Sequence, residues 1–190
     1  MDMLLSLARQ AGFSQLTELD TAVLNPMPEV RNMCSADRCR SYGKSWSCPP
    51  ACGSIEYAAR RISQYRRGLI VQTTGELEDE FDLQAIAAIE ARHKKAFLDL
   101  ARQARLLFPG CLPLSSGTCS LCRKCTYPDR PCRFPGKRLS SMEAYGLLVS
   151  DVCLRSGLQY NYGPDTICFT SCLLFEKESS CHAKPERDLS

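Results

Sequence analysis

The sequence predicts an α/β fold, a single domain in which a small mixed sheet is covered by helices and carries a cysteine-rich metal-binding lobe. Short runs rich in β-branched residues alternate with longer stretches whose apolar residues recur at helical spacing. Cysteines crowd into two segments, 34–52 and 119–132. A chain of 190 residues can bury one core. We therefore expect 1–190 to form one domain, with a loose tail over 176–190.

The predicted elements follow from periodicity and from residues that start or stop helices. Pro26 and Pro28 end the strand-like stretch after the first helix, because each proline fixes φ and removes a donor. Ser54 is a helix N-cap, and the motif Ser140-Ser-Met-Glu143 is a capping box. We predict helices over 1–11, 55–65, 81–108 and 141–155, and strands within 13–24 and over 69–75, 111–116 and 166–175. The strand–helix–strand unit from 69 to 116 predicts a right-handed parallel crossover.

The second cysteine segment has the ligand density of an iron–sulfur cluster. Cys119, Cys122 and Cys125 recur every third residue, and Cys132 follows seven residues later. In a [4Fe–4S] cluster each iron takes one thiolate, so a short loop can wrap one face while a more distant cysteine reaches the last iron. Zinc is the alternative, but structural zinc sites usually take two separated cysteine pairs or include histidine. The spacing favours iron–sulfur over zinc.

The first cysteine segment is less specific. Cys34, Cys39, Cys48 and Cys52 fit a second [4Fe–4S] cluster, a zinc ion held by all four thiolates, or three ligands with one open position. Buried structural thiols are the remaining interpretation, because free cysteine is commonly buried. The segment lacks the C-x3-C-x2-C spacing of radical enzymes, since Ile55 stands where the third cysteine would fall.

Composition restricts the class of protein. The chain has 13 cysteines, an odd number, and its first residues do not resemble a signal peptide, so we expect a cytoplasmic metal-binding protein rather than a disulfide framework. No apolar run approaches the ~18 residues of a membrane helix. The formal charge of +3 would fall to about −1 with two clusters bound. Nucleic acid is therefore not an expected partner.

Several further residues have a predicted role. Lys137 and Arg138 precede the predicted helix at 141 and could offset cluster charge or bind an anionic cofactor or substrate. Glu90-x-x-His93 matches half of a di-iron motif, but it occurs once, and we interpret it as structural. Cys153, Cys168 and Cys172 fall within predicted elements and are expected in the core, whereas the role of Cys111 stays open.

Four motifs together resemble a family of predicted metal-binding proteins of unknown function, common in anaerobic bacteria and archaea. They are Tyr42-Gly-Lys-Ser-Trp46-Ser-Cys48-Pro-Pro50, Cys119-x-Leu-Cys122-x2-Cys125, Pro131-Cys132-Arg-x-Pro135 and Ser141-Met-Glu-Ala144-x-Gly146. The resemblance implies that Cys34, Cys39, Cys48 and the four cysteines of 119–132 are metal ligands. It implies no reaction.

Three functions remain open on this evidence. The first is a protein with two [4Fe–4S] clusters that transfers electrons to a redox partner protein or serves as the redox component of a larger enzyme. The second is a cluster-dependent enzyme with an open iron site, better placed in the 34–52 segment, acting on a small anionic substrate. The third is a zinc-stabilised binding module.

Overall fold

The computed structural model describes residues 2–37 and 39–176. Its α/β class, with a mixed sheet covered by helices, confirms the prediction. The helices are α1 (Asp2–Gln10), α2 (Pro28–Ser35), α3 (Ile55–Ile62), α4 (Leu83–Leu107) and α5 (Val149–Arg155). The strands are β1 (Gln15–Asp20), β2 (Tyr65–Glu76), β3 (Leu112–Ser115), β4 (Ser140–Ser141) and β5 (Thr166–Glu176). None of the helices in these residues is long and apolar enough to cross a membrane.

The five strands form one sheet in the order β1-β2-β5-β3-β4. All neighbours are antiparallel except β3 and β4, which pair in parallel. β2 and β3 both pair antiparallel with β5, so they run in the same direction, as the predicted crossover requires. They are not neighbours, however, because β5 lies between them. The last strand of the chain thus completes the centre of the sheet.

The core lies on both faces of the sheet. Leu69 and Val71 of β2 pack with α1 and α4 on one face, whereas Ile70 packs with α3 and α5 on the other. This alternation follows from the two-residue period of a strand. The sequences of β2 and β5 contain nearly continuous apolar runs because both faces of these strands are covered by helices.

The predicted helix over 141–155 is wrong. The chain forms β4, a short 3₁₀ turn over Glu143–Tyr145, and only then α5. The hydroxyl of Ser141 accepts from the N–H of Ala144 at 3.1 Å, one residue later than the Ser140–Glu143 pair of the predicted capping box. Gly146 then takes a left-handed conformation with φ of +77°, which ends the turn. The N–H of Met27 donates to the Gly146 carbonyl at 2.8 Å, so a long-range contact overrides the local helix signal.

Other boundaries also differ. The helix predicted over 55–65 ends at Ile62, because Tyr65 already pairs in the sheet with Glu176. α2 was not predicted, although Pro28 at its first turn is a favourable start for a helix. Except for Glu176, the predicted tail over 176–190 lies outside the residues that the structure describes.

Candidate metal centre

The second cysteine segment lies in the connection between β3 and β4. The chain leaves the sheet after Ser115 and returns at Ser140, beside the strand that it left. The N–H of Met142 donates to the Ser115 carbonyl at 3.1 Å and closes the base of this loop. Both ends of the 116–139 segment are therefore anchored at one edge of the sheet, and the cysteines project from a fixed base.

All four cysteines of this segment line one cavity of about 300 Å³, hereafter the four-thiol cavity: Cys119, Cys122, Cys125 and Cys132. The first cysteine segment closes its other side with Ser45, Trp46 and Ser47. Trp46 packs edge-on against Tyr127, with ring centroids 4.9 Å apart. The four cysteines that the spacing grouped together thus line the same cavity in the fold.

Hydrogen bonds from the first segment act on a thiol of the second. Burial alone would raise the pKa of Cys125, but the backbone N–H groups of Trp46 and Tyr127 and the hydroxyl of Ser45 lower that pKa overall. These donors favour the thiolate, which is the form that binds metal. The two cysteine segments therefore build the four-thiol cavity together.

A second cavity of about 350 Å³, the three-thiol cavity, is lined by Cys34, Cys39 and Cys48. Cys34 stands in the last turn of α2, and Cys48 is buried. Burial and the carboxylate of Glu143 raise the pKa of Cys34, against the opposing charge of Arg31. The rest of the wall is chiefly apolar and includes Val30, Met33, Leu147, Leu148 and Val149.

Cys52, the fourth cysteine of this segment, is not part of that wall. Its Sγ lies 3.7 Å from the carbonyl of Ala144. Arg31 holds the region together by donating to the carbonyls of Ala144 and Gly53 at 2.7 and 2.6 Å. Burial raises the pKa of Cys52, and the charge of Arg31 lowers it in part.

The two cavities share a wall. Thr118 lines both of them. Its hydroxyl lies 3.7 Å from Cys48 Sγ, and the N–H of the next residue, Cys119, donates to Ser47 Oγ at 3.3 Å. Cys48 of the three-thiol cavity and Cys119 of the four-thiol cavity are thus brought near each other through Ser47 and Thr118. The two groups of thiols are therefore connected by direct contacts between neighbouring residues.

Glu143 was not singled out as a site residue by sequence reasoning, yet it lines the three-thiol cavity. Its Oε2 is buried and has no hydrogen-bond partner within residues 2–37 and 39–176. Only its place in the Ser141–Gly146 motif could have drawn attention to it.

The two predicted cationic residues occupy different places. Arg138 lies on the wall of the four-thiol cavity, and its charge also opposes the rise that burial causes in the pKa of Cys52. Lys137 is exposed and lines neither cavity.

The remaining candidates behave as structural residues. His93 is fully buried between the hydroxyls of Thr73 and Ser171, at 2.8 and 2.7 Å. Burial, aided by the charge of Lys94, lowers its pKa to about 4. Its motif partner Glu90 pairs with Lys94 at 2.6 Å. Burial raises the pKa of the remaining described thiols. Cys111, Cys153 and Cys172 are buried, and Cys168 is partly buried.

The donor set fits a metal centre, although the side chains are not gathered around one point. Among the described residues, no three His, Cys, Asp or Glu side chains stand close enough to hold one ion. Thiolates are soft ligands suited to iron–sulfur clusters and to zinc. Glu143 Oε2, which has no hydrogen-bond partner within residues 2–37 and 39–176, would serve as an oxygen ligand. Binding would require the thiols to turn inward, toward a centre in each cavity.

A family model described as predicted metal-binding protein (DUF2284) matches residues 17–175, which include both cysteine segments. No curated protein and no solved structure matches the chain.

Proposed function

Since this chain belongs to the family of predicted metal-binding proteins, we propose that it binds a [4Fe–4S] cluster in each of its two thiol-lined cavities and transfers electrons to a redox partner protein. The observation that carries the proposal is the four-thiol cavity, where every cysteine of the 119–132 segment reaches one wall. When bound, such clusters accept and release single electrons.

The residues around the four-thiol cavity suit an electron-transfer site. Cys119, Cys122, Cys125 and Cys132 would hold the cluster. Hydrogen bonds from Trp46 and Tyr127 to Cys125 would stabilise its thiolate, and hydrogen bonds to cluster sulfurs are a principal control of potential. Arg138 on the wall would offset the negative charge of the bound cluster.

In the three-thiol cavity, Cys34, Cys39 and Cys48 would hold the second cluster. Thr118 lines both cavities and Ser47 accepts from the N–H of Cys119, so the two clusters would lie in adjacent cavities. Such proximity supports two clusters that act in series. All twelve described cysteines are free thiols, which supports a cytoplasmic location.

The three-thiol cavity also supports a second candidate, a cluster-dependent enzyme. Only three cysteines reach its wall, so one metal position is left without a thiolate, as in catalytic metal sites. A substrate there would meet chiefly apolar side chains. Arg138 is not on the wall of this cavity, so it does not line the position that such a substrate would take.

The direct test is iron, zinc and acid-labile sulfide per chain in protein purified without oxygen, with visible spectra before and after dithionite. We expect about eight iron and eight sulfide, with bleaching on reduction. Replacing Cys122 with serine should leave about four of each, because only the four-thiol cluster is lost. Cys168→Ser, outside both cavities, should leave all eight. Stoichiometric zinc without sulfide would overturn the proposal and favour a zinc-stabilised module.

A further inference from the structure

The side chain of Glu143 carries one of its carboxylate oxygens into the interior of the protein. Its Oε2 is buried and makes no hydrogen bond to any residue that the structure describes. Burying a carboxylate oxygen without a partner is costly, and proteins normally pair such groups or use them to bind metal. The nearby cation, Arg31, donates to the carbonyls of Ala144 and Gly53 and makes no hydrogen bond to this oxygen.

The fold holds this carboxylate at the three-thiol cavity. Glu143 opens the 3₁₀ turn after β4 and lines the cavity together with Cys34, Cys39 and Cys48. Its carbonyl accepts from the N–H of Gly146 at 2.9 Å and lies 4.0 Å from Cys34 Sγ. The Cys34 thiol therefore lies close to the backbone of Glu143, and both residues line one cavity.

We propose that Glu143 is the fourth protein ligand of the metal centre in the three-thiol cavity, beside Cys34, Cys39 and Cys48. The inference rests on the proposed function in that it requires a metal centre in this cavity. An oxygen donor is a harder ligand than a thiolate and is less suited to iron in a cluster. Glu143 would therefore mark the position at which another molecule can displace a protein ligand.

Cys52 is the competing fourth ligand, since it belongs to the same cysteine segment. Its Sγ lies against the carbonyl of Ala144 and is absent from the cavity wall, whereas Glu143 is on that wall. Cys52 would have to leave this contact to reach the metal. The two residues can be separated experimentally, because only one of them is a thiol.

The test compares Glu143→Gln and Cys52→Ser for iron and sulfide per chain and for the electron paramagnetic resonance spectrum after reduction. We expect the iron content of Glu143→Gln to fall by about half, with loss of one cluster signal, whereas Cys52→Ser keeps both. Glu143→Cys should restore the iron content with an altered signal. The matched control is Glu90→Gln, since Glu90 pairs with Lys94 outside both cavities.

Full iron content and an unchanged spectrum in Glu143→Gln would overturn the inference, as would loss of a cluster in Cys52→Ser alone. Urea unfolding of the metal-free proteins excludes a purely structural role. Glu143→Gln should unfold at the same or higher urea concentration than the unaltered chain, because it removes an unpaired buried charge. A lower concentration would contradict the inference.

Failure of the proposed function is recognised separately. If the unaltered protein holds zinc and no sulfide, two clusters are excluded, but loss of zinc in Glu143→Gln would still support ligation by Glu143.

Discussion

The indole N–H of Trp46 donates a hydrogen bond to the backbone carbonyl of Arg130 at 3.0 Å, across 84 positions of sequence. Trp46 belongs to the first cysteine segment and Arg130 to the second. The same tryptophan packs against Tyr127, and its backbone N–H lowers the pKa of Cys125, whose burial would raise it. One residue of the first segment therefore shapes the loop that carries the thiols of the second.

We predict that Trp46→Phe weakens the cluster in the four-thiol cavity while the protein stays folded. Phenylalanine can keep the edge-on contact with Tyr127 but loses the donor to Arg130. One lost hydrogen bond of about 1 kcal/mol corresponds to a roughly fivefold change in stability. We expect half of the iron to be released to a chelator several times faster. Tyr57→Phe is the control, because Tyr57 lines neither cavity, and equal release rates in the two variants would contradict the prediction.

Gly146 should resist substitution more than another glycine with the same backbone conformation. Gly146 and Gly12 have φ of +77° and +81°. A Cβ at Gly146 would overlap Ile55 Cδ1 and lie 3.0 Å from the Met27 carbonyl, whereas a Cβ at Gly12 meets nothing within 4 Å. Gly12→Ala should cost about 1 kcal/mol from strain alone, and Gly146→Ala about 3 kcal/mol or more, because it adds overlap. Urea unfolding measures both, and similar costs would contradict the proposed overlap.

The central elements were predictable because their signals are local. β2, α4 and β5 have apolar patterns of the right period and length, and Ser54 caps α3 as expected, by accepting from the N–H of Tyr57. Clustering of the 119–132 cysteines on one wall also follows from sequence, because a short loop keeps neighbouring residues together.

What sequence could not supply depends on contacts between distant segments. The break at Gly146 is fixed by Met27 and Ile55, which no local pattern indicates. Glu143 lines the three-thiol cavity and Cys52 does not. This difference depends on how the 143–145 turn packs against α2, for example through the bond from Arg31 to the Ala144 carbonyl. Spacing identifies candidate thiols, but only the fold decides which face they share.

His93 should make stability depend on pH. Burial depresses its pKa to about 4 in the folded protein, against about 6.5 when unfolded. Below pH 6.5 the His93 ring binds a proton in the unfolded chain but stays neutral in the folded chain. The contribution of His93 to the free energy of unfolding is therefore fully present above that pH and is lost as pH falls toward 4. Between pH 7 and pH 5 the loss should be about 2 kcal/mol.

Urea unfolding at the two pH values tests this dependence. His93→Gln should lack most of it, because an amide can bond to Thr73 and Ser171 without titrating. If that variant does not fold, nuclear magnetic resonance of the unaltered protein still decides. The His93 ring should not titrate between pH 7 and pH 5, and a midpoint near pH 6.5 would contradict the prediction.

Arg138 and Lys137 form a matched pair for the charge of the four-thiol cavity. Arg138 lies on its wall, whereas its neighbour Lys137 is exposed. Removing a positive charge near a cluster makes reduction less favourable, because the added electron loses an attraction. At a separation of ~10 Å and an effective dielectric constant of ~20, that attraction is about 1.7 kcal/mol, or about 70 mV for one electron.

We therefore expect Arg138→Gln to lower the reduction potential of one cluster by about 50–80 mV, measured by a redox titration followed by paramagnetic resonance. Lys137→Gln should shift it by less than about 20 mV, because water screens an exposed charge. If both substitutions shifted the potential equally, the net charge of the protein rather than the position of Arg138 would determine the potential. That result would contradict the prediction. If only Arg138→Gln acts, the cluster titrated is the one held by the 119–132 cysteines.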